Sequence, residues 1–377
     1  MIARKIFSAA AVLFFLTNPA VIFADEAQPF FDRAMRYVSQ QDFERAVISF
    51  ERALEERPGY AEAHYNLGVA LEALGRTEEA VSHYESTLSL MPEYAGAMNN
   101  LGNAYMALGQ TEKAREMLQR AVDTDPSMTI AWYNLGNVLL EQEKVEEAAK
   151  KYTRVIELEP KAAKAHFQLG RIYTKLGRFK EAIESYERTL DLSPGSKDIM
   201  FNLSAAYGAS GDREKEIDIL LELVDLDPEN SLVFYNLGTS LFRVGRFRES
   251  VEYLKRSTEL EPSYTHSWNN LSQSLLRLKD YPAAVEAARE AVRTRPDFAM
   301  AHASLGFALL GMELFQDAKT SFAESIRLLP EYAEPRFGLA IAALALGDNE
   351  TALEQKQILE GLNPQLAEKL AQIISKQ

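Results

Sequence analysis

Cysteine is absent from the 377 residues of the chain, and this absence excludes several kinds of chemistry at once. Without a thiol there is no disulfide, no cysteine-bound zinc or iron–sulfur cluster, no thiol nucleophile and no lipid attached through cysteine. Histidine is scarce, with five residues, and no H-E-x-x-H, G-x-S-x-G, glycine-rich phosphate loop or EF-hand spacing occurs. The sequence therefore predicts a protein that is not an enzyme and that uses no cofactor.

The chain has fewer positively than negatively charged residues. Lys and Arg total 41 against 55 for Asp and Glu, which gives a formal net charge of −14. Such a chain lacks the net attraction to phosphate on which binding to nucleic acids and anionic membranes usually depends. We therefore expect no nucleic acid as a partner.

Long hydrophobic runs are missing except near the amino terminus. Arg4 and Lys5 precede the uncharged stretch 6–16, and Ala24 stands before an acidic pair. This is the order of a secretory signal peptide, so we expect residues 1–24 to be cleaved off and the protein to be exported, with the bacterial periplasm as the favoured compartment. The alternative is an uncleaved segment that tethers the protein to the membrane. No transmembrane segment is expected after cleavage.

Proline follows a single period through the rest of the chain. Ten of the 14 prolines are spaced 34 residues apart, at positions 58, 92, 126, 160, 194, 228, 262, 296, 330 and 364. Placing each of them at position 32 of a unit divides residues 27–366 into ten units. Apolar residues recur at positions 4, 7, 8 and 11 and again at 20 and 24, which predicts two amphipathic helices per unit. Glycine at position 15 ends the first helix, and proline at position 32 ends the second.

One unit shows the pattern most clearly, with Trp132-x-x-Leu135-Gly136-x-x-Leu139, then Ala148-x-x-x-Tyr152 and Pro160. This pattern resembles the tetratricopeptide repeat. The resemblance implies an all-α protein, a right-handed α-solenoid of ten helix–turn–helix units that acts as a scaffold for protein–protein interaction. Residues 367–377 are expected to form the remainder of a C-terminal capping helix.

Three of the five histidines, His64, His166 and His302, stand at position 4, where other units carry tryptophan. We interpret them as half-buried spacers. His83 and His266 are isolated in the sequence, so no metal site is expected.

Position 6 carries an amide side chain in seven consecutive units: Asn66, Asn100, Asn134, Gln168, Asn202, Asn236 and Asn270. Positions 2, 6, 9 and 13 share one helix face, which in the tetratricopeptide family lines a concave groove. An amide both donates and accepts hydrogen bonds, so the row can pair with the backbone of an extended peptide. It is similar to the asparagine ladder of the O-linked N-acetylglucosamine transferases, whose catalytic domain has no counterpart here.

The amide row is also compatible with two origins that involve no ligand. Tandem duplication would copy asparagine without any use for it, although position 2 has diverged among the same units. Alternatively, the amides form hydrogen bonds between neighbouring repeats.

Basic residues suggest a second feature of the groove. Asn103, Lys164, Arg171 and Lys175 form a possible carboxylate-binding patch, which is similar to the clamp of chaperone-binding tetratricopeptide domains. Asn99 and Gln168 stand where that clamp has basic residues, and the alternative is that the cations are merely scattered over the surface. Aromatic residues at position 5 are expected either to stack on ligand side chains or to pack between repeats; they are Tyr65, Tyr133, Phe167, Phe201 and Tyr235.

The sequence thus favours a non-enzymatic scaffold that binds peptides or unstructured protein segments in its groove. The alternative is a structural or assembly subunit of a cell-envelope export or polysaccharide machine, which would dock through its convex surface or its ends.

Overall fold

A computed structural model describes residues 26–375, and every regular element in that range is an α-helix. The helices are α1 (Ala27–Ser39), α2 (Phe43–Glu56), α3 (Ala61–Ala73), α4 (Thr77–Leu90), α5 (Ala95–Ala107), α6 (Thr111–Thr124), α7 (Thr129–Glu141), α8 (Val145–Leu158), α9 (Ala163–Lys175), α10 (Phe179–Leu192), α11 (Lys197–Ser210), α12 (Arg213–Leu226), α13 (Ser231–Arg243), α14 (Phe247–Leu260), α15 (Thr265–Arg277), α16 (Tyr281–Thr294), α17 (Ala299–Gly311), α18 (Phe315–Leu328), α19 (Ala333–Ala345), α20 (Asn349–Leu362) and α21 (Pro364–Ile374). The predicted signal peptide lies outside the described residues.

The helices follow the period of the sequence. Each odd-numbered helix from α1 to α19 begins at the first residue of a 34-residue unit, and each even-numbered helix ends two residues before the periodic proline. The two helices of a unit pack against each other, and the second packs against the first helix of the next unit within a compact body. The prediction of an all-α array of helix–turn–helix repeats is confirmed; we number them repeats 1 to 10.

The array divides into two compact bodies, one ending at Leu158 and the other beginning at Glu159. The first, here called the N-unit, contains repeats 1 to 4, and the second, the C-unit, contains repeats 5 to 10 and α21. Within each of them, successive helical hairpins stack side by side as in an α-solenoid.

Close approach of the two helices within a repeat explains the small residue at position 8. A Cβ atom on Gly68 would lie 2.6 Å from Cε1 of Tyr84, a ring that is fully buried at position 24 of the same repeat. Because a larger side chain would displace this ring, the glycine is retained despite its cost of about 1 kcal/mol within a helix.

The last helix, α21, packs on α19 and α20. Leu370 of α21 is fully buried against an apolar cluster that includes Ala340 and Leu359. The helix begins with Pro364, and the side chain of Asn363 accepts a hydrogen bond from the backbone N–H of Leu366. A capped helix therefore covers the apolar face that repeat 10 would otherwise expose.

Candidate protein-binding surface

One face of each odd-numbered helix in repeats 1 to 10 turns away from the core. Positions 2, 6, 9 and 13 fall within about 60° of one another at 100° per residue, opposite to positions 7 and 11. Leu67 and Leu135 at position 7 are buried, whereas the side chain at position 2 is exposed in eight of the ten repeats. We call the surface formed by positions 2, 6, 9 and 13 the A-face.

The seven amides of position 6 are all half-buried on the A-face. Two of them bond within their own helix: Nδ2 of Asn66 donates to the carbonyl oxygen of Glu62, and Nδ2 of Asn202 donates to that of Asp198, each over 2.7 Å. Gln168 accepts a hydrogen bond of 3.2 Å from Arg171, one turn further along α9.

Other amides of the row connect repeats. In the N-unit, Asn134 Nδ2 donates to Asn99 Oδ1 over 2.9 Å, and Asn99 Nδ2 donates to Asn100 Oδ1 over 3.1 Å. Asn100 Nδ2 in turn donates to the hydroxyl of Tyr65 over 3.1 Å. This amide relay links repeats 4, 3 and 2 through side chains alone.

The C-unit contains a second amide relay of the same design. The hydroxyl of Ser304 donates to Asn269 Oδ1 over 2.9 Å, and Asn269 Nδ2 lies 3.3 Å from Asn270 Oδ1. Asn270 Nδ2 then donates to the hydroxyl of Thr239 over 3.0 Å. Repeats 9, 8 and 7 are connected in this way.

Hydrogen bonding between repeats, one of the roles that the sequence permits, therefore accounts for Asn100, Asn134 and Asn270. The sequence contains a sign of these bonds, because repeats 3 and 8 have asparagine at position 5 as well as at position 6. The position-5 residues are Asn99 and Asn269, whereas most of the middle repeats have an aromatic ring there. A role of the row in binding a peptide backbone stays a prediction.

Four of the five aromatic residues named at position 5 pack against rings of their own repeat. The ring centroid of Tyr65 lies 4.9 Å from that of Tyr94, and that of Tyr133 lies 5.3 Å from that of Tyr152. Packing, rather than exposure to a ligand, is the arrangement that the structure shows for these rings.

In six of the ten repeats, position 4 carries a side-chain N–H group that binds the periodic proline before it. Trp132 Nε1 donates to the carbonyl oxygen of Pro126 over 3.0 Å, and Trp268 Nε1 donates to that of Pro262 over 2.9 Å. The position-4 histidines do the same, with Nε2 at 2.8–3.2 Å from the carbonyl oxygens of Pro58, Pro160 and Pro296. Histidine replaces tryptophan here as a hydrogen-bond donor as well as a spacer.

The interpretation of His83 as an isolated residue is wrong. Nδ1 of His83 lies 3.0 Å from Nδ1 of His64, because position 23 faces position 4 across the hairpin. The ring of His266 packs against Tyr264 and Phe298, with centroid distances of 5.5 and 5.1 Å. No group of three or more His, Asp or Glu residues within 26–375 is arranged to hold a metal ion.

The residues of the possible carboxylate-binding patch lie in different bodies. Asn103 belongs to α5 of the N-unit, whereas Lys164, Arg171 and Lys175 belong to α9 of the C-unit. The three cations are exposed on one face of α9, and no carboxylate of residues 26–375 forms an ion pair with them. Asn99, at a clamp position, is buried in the first amide relay.

The A-face also exposes large apolar side chains at position 2. Ile130 is 55% exposed, Leu232 is 45% exposed and Met300 is 40% exposed. Sequence patterns did not identify these residues as part of a site, because position 2 varies in character from one repeat to the next.

Across residues 26–375, no helix combines the length and the apolar character that crossing a membrane requires.

Comparison with known families agrees with this architecture. The family model for the C-terminal domain of cilia and flagella-associated protein 70, a domain of the tetratricopeptide type, matches residues 38–262, more than half of the chain. The tetratricopeptide repeat model matches residues 235–297 and 304–365. The chain belongs to the tetratricopeptide-repeat family and is a protein-interaction scaffold of that class. No curated protein sequence matches it.

Several solved structures are similar to part of the chain. YrrB, described as a tetratricopeptide protein with an unusual peptide-binding site, is 27% identical over 49% of this chain and 95% of its own, with a TM-score of 0.45. PilF of Pseudomonas aeruginosa is 21% identical over 54% of this chain and 93% of its own, with a TM-score of 0.47. A tetratricopeptide protein from Parabacteroides merdae is 16% identical over 66% and 98%, with a TM-score of 0.46. Similarity at this level supports no inference about the ligand.

Proposed function

We propose that the protein is a non-enzymatic scaffold whose A-face binds extended peptides or unstructured segments of other proteins. The observation that carries this proposal is the combination of exposed apolar side chains, amides and cations without a carboxylate partner on one face of the odd-numbered helices. Each kind of group offers a ligand a different kind of contact.

Apolar contact comes from position 2. Leu232 and Met300 of the C-unit are 45% and 40% exposed, on α13 and α17. Covering the exposed part of such a side chain contributes about 1–2 kcal/mol. A bound segment with apolar side chains is therefore favoured at these two helices.

Polar contact comes from the amides that stay within their own helix. The Nδ2 group of Asn202 is held by the carbonyl oxygen of Asp198, which leaves Oδ1 as an acceptor on a half-buried surface. Asn66 has the same arrangement in the N-unit. Each oxygen is suited to receive a backbone N–H from an extended ligand.

Charge favours an acidic ligand at α9. Lys164, Arg171 and Lys175 are exposed on one face and form no ion pair with a carboxylate among the described residues. Since the chain as a whole carries a net charge of −14, an acidic segment is attracted to this helix and repelled by most of the remaining surface.

The proposal is tested by selecting peptides from a random library on the full chain and measuring their affinities for matched variants. We expect Leu232→Ser with Met300→Ser to weaken binding about tenfold or more, which corresponds to a loss of about 1.4 kcal/mol. The control is Ile48→Ser with Leu353→Ser, since these side chains are 59% and 52% exposed on even-numbered helices.

Charge-reversal variants test the same proposal independently. Lys164→Glu with Lys175→Glu should weaken acidic peptides, whereas Lys180→Glu, on the exposed surface of α10, should not. If the controls weaken binding as strongly as the A-face variants, the proposal is wrong. That result would favour docking through other surfaces, as expected for an assembly subunit of an envelope machine.

We further propose that the scaffold is exported after removal of residues 1–24, on the basis of Arg4, Lys5, the apolar stretch and Ala24. N-terminal sequencing of the protein from its native source should then begin at Asp25. Recovery of the intact terminus on soluble protein would contradict export, and recovery of that terminus in the membrane fraction would indicate the tethered alternative.

A further inference from the structure

We propose that His64 and His83, in repeat 2, form a binding site for a divalent transition-metal ion such as Zn²⁺, with their two Nδ1 atoms as ligands. The site lies between α3 and α4 and is separate from the A-face. The two nitrogen atoms face each other at 3.0 Å.

Hydrogen bonding fixes the proton on one of the two rings. Nε2 of His64 lies 3.0 Å from the carbonyl oxygen of Pro58, and a carbonyl oxygen only accepts hydrogen bonds. Nε2 therefore carries a hydrogen atom, so Nδ1, which faces His83, is the nitrogen atom of His64 that can bind a metal ion. Metal-bound histidines are commonly oriented in the same way, by an N–H that donates to a backbone carbonyl.

The separation of the nitrogen atoms suits one metal ion. With metal–nitrogen bonds of about 2.0–2.1 Å, two ligands 3.0 Å apart subtend an angle of about 94° at the ion. A tetrahedral angle needs a separation of about 3.35 Å, so a displacement of a few tenths of an ångström is enough. The imidazole donor set suits Zn²⁺, Ni²⁺ and Cu²⁺.

The surroundings are compatible with an ion. Both rings are half-buried, so solvent reaches them and water can complete the coordination. Glu79, one turn before His83 on α4, is held by Arg76 through two bonds of 2.6 Å and adds little net charge.

Other repeats of the same chain provide matched controls. His166 and His302 also occupy position 4 and bind a proline carbonyl, but position 23 opposite them is Ser185 and Ser321. His83→Ser therefore converts repeat 2 into a pair that repeats 5 and 9 already contain, and the fold is expected to tolerate it. Ser185→His should conversely create a second site.

The test is calorimetric titration of the full chain, without a histidine tag, with Zn²⁺ alone. We expect one ion per chain, at least about tenfold weaker binding in His83→Ser and a second equivalent in Ser185→His. Circular dichroism melting confirms that each variant is folded, and Ser321→His replaces Ser185→His if the latter does not fold.

The proposal is overturned if the unchanged chain binds no Zn²⁺, or if His83→Ser binds it as tightly as the unchanged chain. It is also overturned if a folded variant with the added histidine gains no second ion. None of these outcomes bears on peptide binding, since the site lies away from the A-face.

Discussion

Asn134 in repeat 4 donates a hydrogen bond of 2.9 Å to the side-chain oxygen of Asn99 in repeat 3, 35 residues earlier in the chain. Asn99 is 6% exposed, so its oxygen has little access to water. Asparagine is a poor helix former, and at this position its retention is explained by a bond between neighbouring repeats.

Removal of this bond is expected to reduce stability. Asn134→Ala leaves a buried acceptor without its donor, which costs about 1–3 kcal/mol in free energy of unfolding. Asn202→Ala is the matched control, because Asn202 bonds only to its own helix. Alanine is the better helix former, so the control should be neutral or slightly stabilised. Urea unfolding distinguishes the two, and equal losses in both variants would show that the amide relay contributes nothing.

A second prediction concerns the hydrogen bond between the side chain at position 4 and the carbonyl oxygen of the periodic proline. Trp132→Phe removes the donor to the carbonyl oxygen of Pro126 and should lower the free energy of unfolding by about 1 kcal/mol. Phe234→Trp in repeat 7 should do the opposite, since it offers a donor to the carbonyl oxygen of Pro228. Thermal melting of both variants measures these effects, and a phenylalanine variant as stable as the parent would exclude a stabilising role for this bond.

The half-buried carboxyl group of Glu72 leads us to expect that the stability of repeat 2 depends on pH. Burial raises the pKa of Glu72 above its usual value, although a hydrogen bond from the hydroxyl of Tyr84 opposes the rise. A raised pKa in the folded state means that the group's contribution to stability is fully present below the unfolded pKa and is lost as pH rises through the folded pKa.

Glu72→Gln cannot ionise and still accepts the hydrogen bond from Tyr84. The variant should therefore gain stability over the parent as pH rises above 4.5, the usual pKa of a glutamate side chain, and this gain should be absent at more acidic pH. Tyr84→Phe removes the opposing hydrogen bond, so this variant should lose more stability than the parent as pH rises. Urea unfolding at several pH values tests this, and a difference between Glu72→Gln and the parent that stays constant with pH would refute it.

Much of the fold could be predicted from the sequence, because the period of 34 fixes both helices of every repeat. Proline at position 32 ends the second helix, and glycine at position 15 turns the chain: Gly75 and Gly245 have φ of 75° and 83°. Backbone geometry of this kind depends on the identity of the local residues, so it can be predicted from the sequence.

The candidate site was less predictable, because side-chain pairing depends on contacts between repeats. The amides of position 6 look alike in sequence, yet Asn134 bonds to another repeat while Asn202 bonds to its own helix. The difference arises from position 5, where Asn99 replaces an aromatic ring. His64 and His83, 19 residues apart in one repeat, were not connected because their contact depends on how the two helices of the hairpin pack.

Partners are proposed to bind along the A-face. Site-specific photo-crosslinking in the native host tests this proposal most directly, with one photoreactive residue in place of Ile130, Leu232 or Met300 on the A-face. Ile48 and Leu353, exposed on even-numbered helices, are the matched control positions. We expect a protein adduct from the A-face positions that is not formed from the control positions. Adducts from Ile48 or Leu353 alone would contradict it.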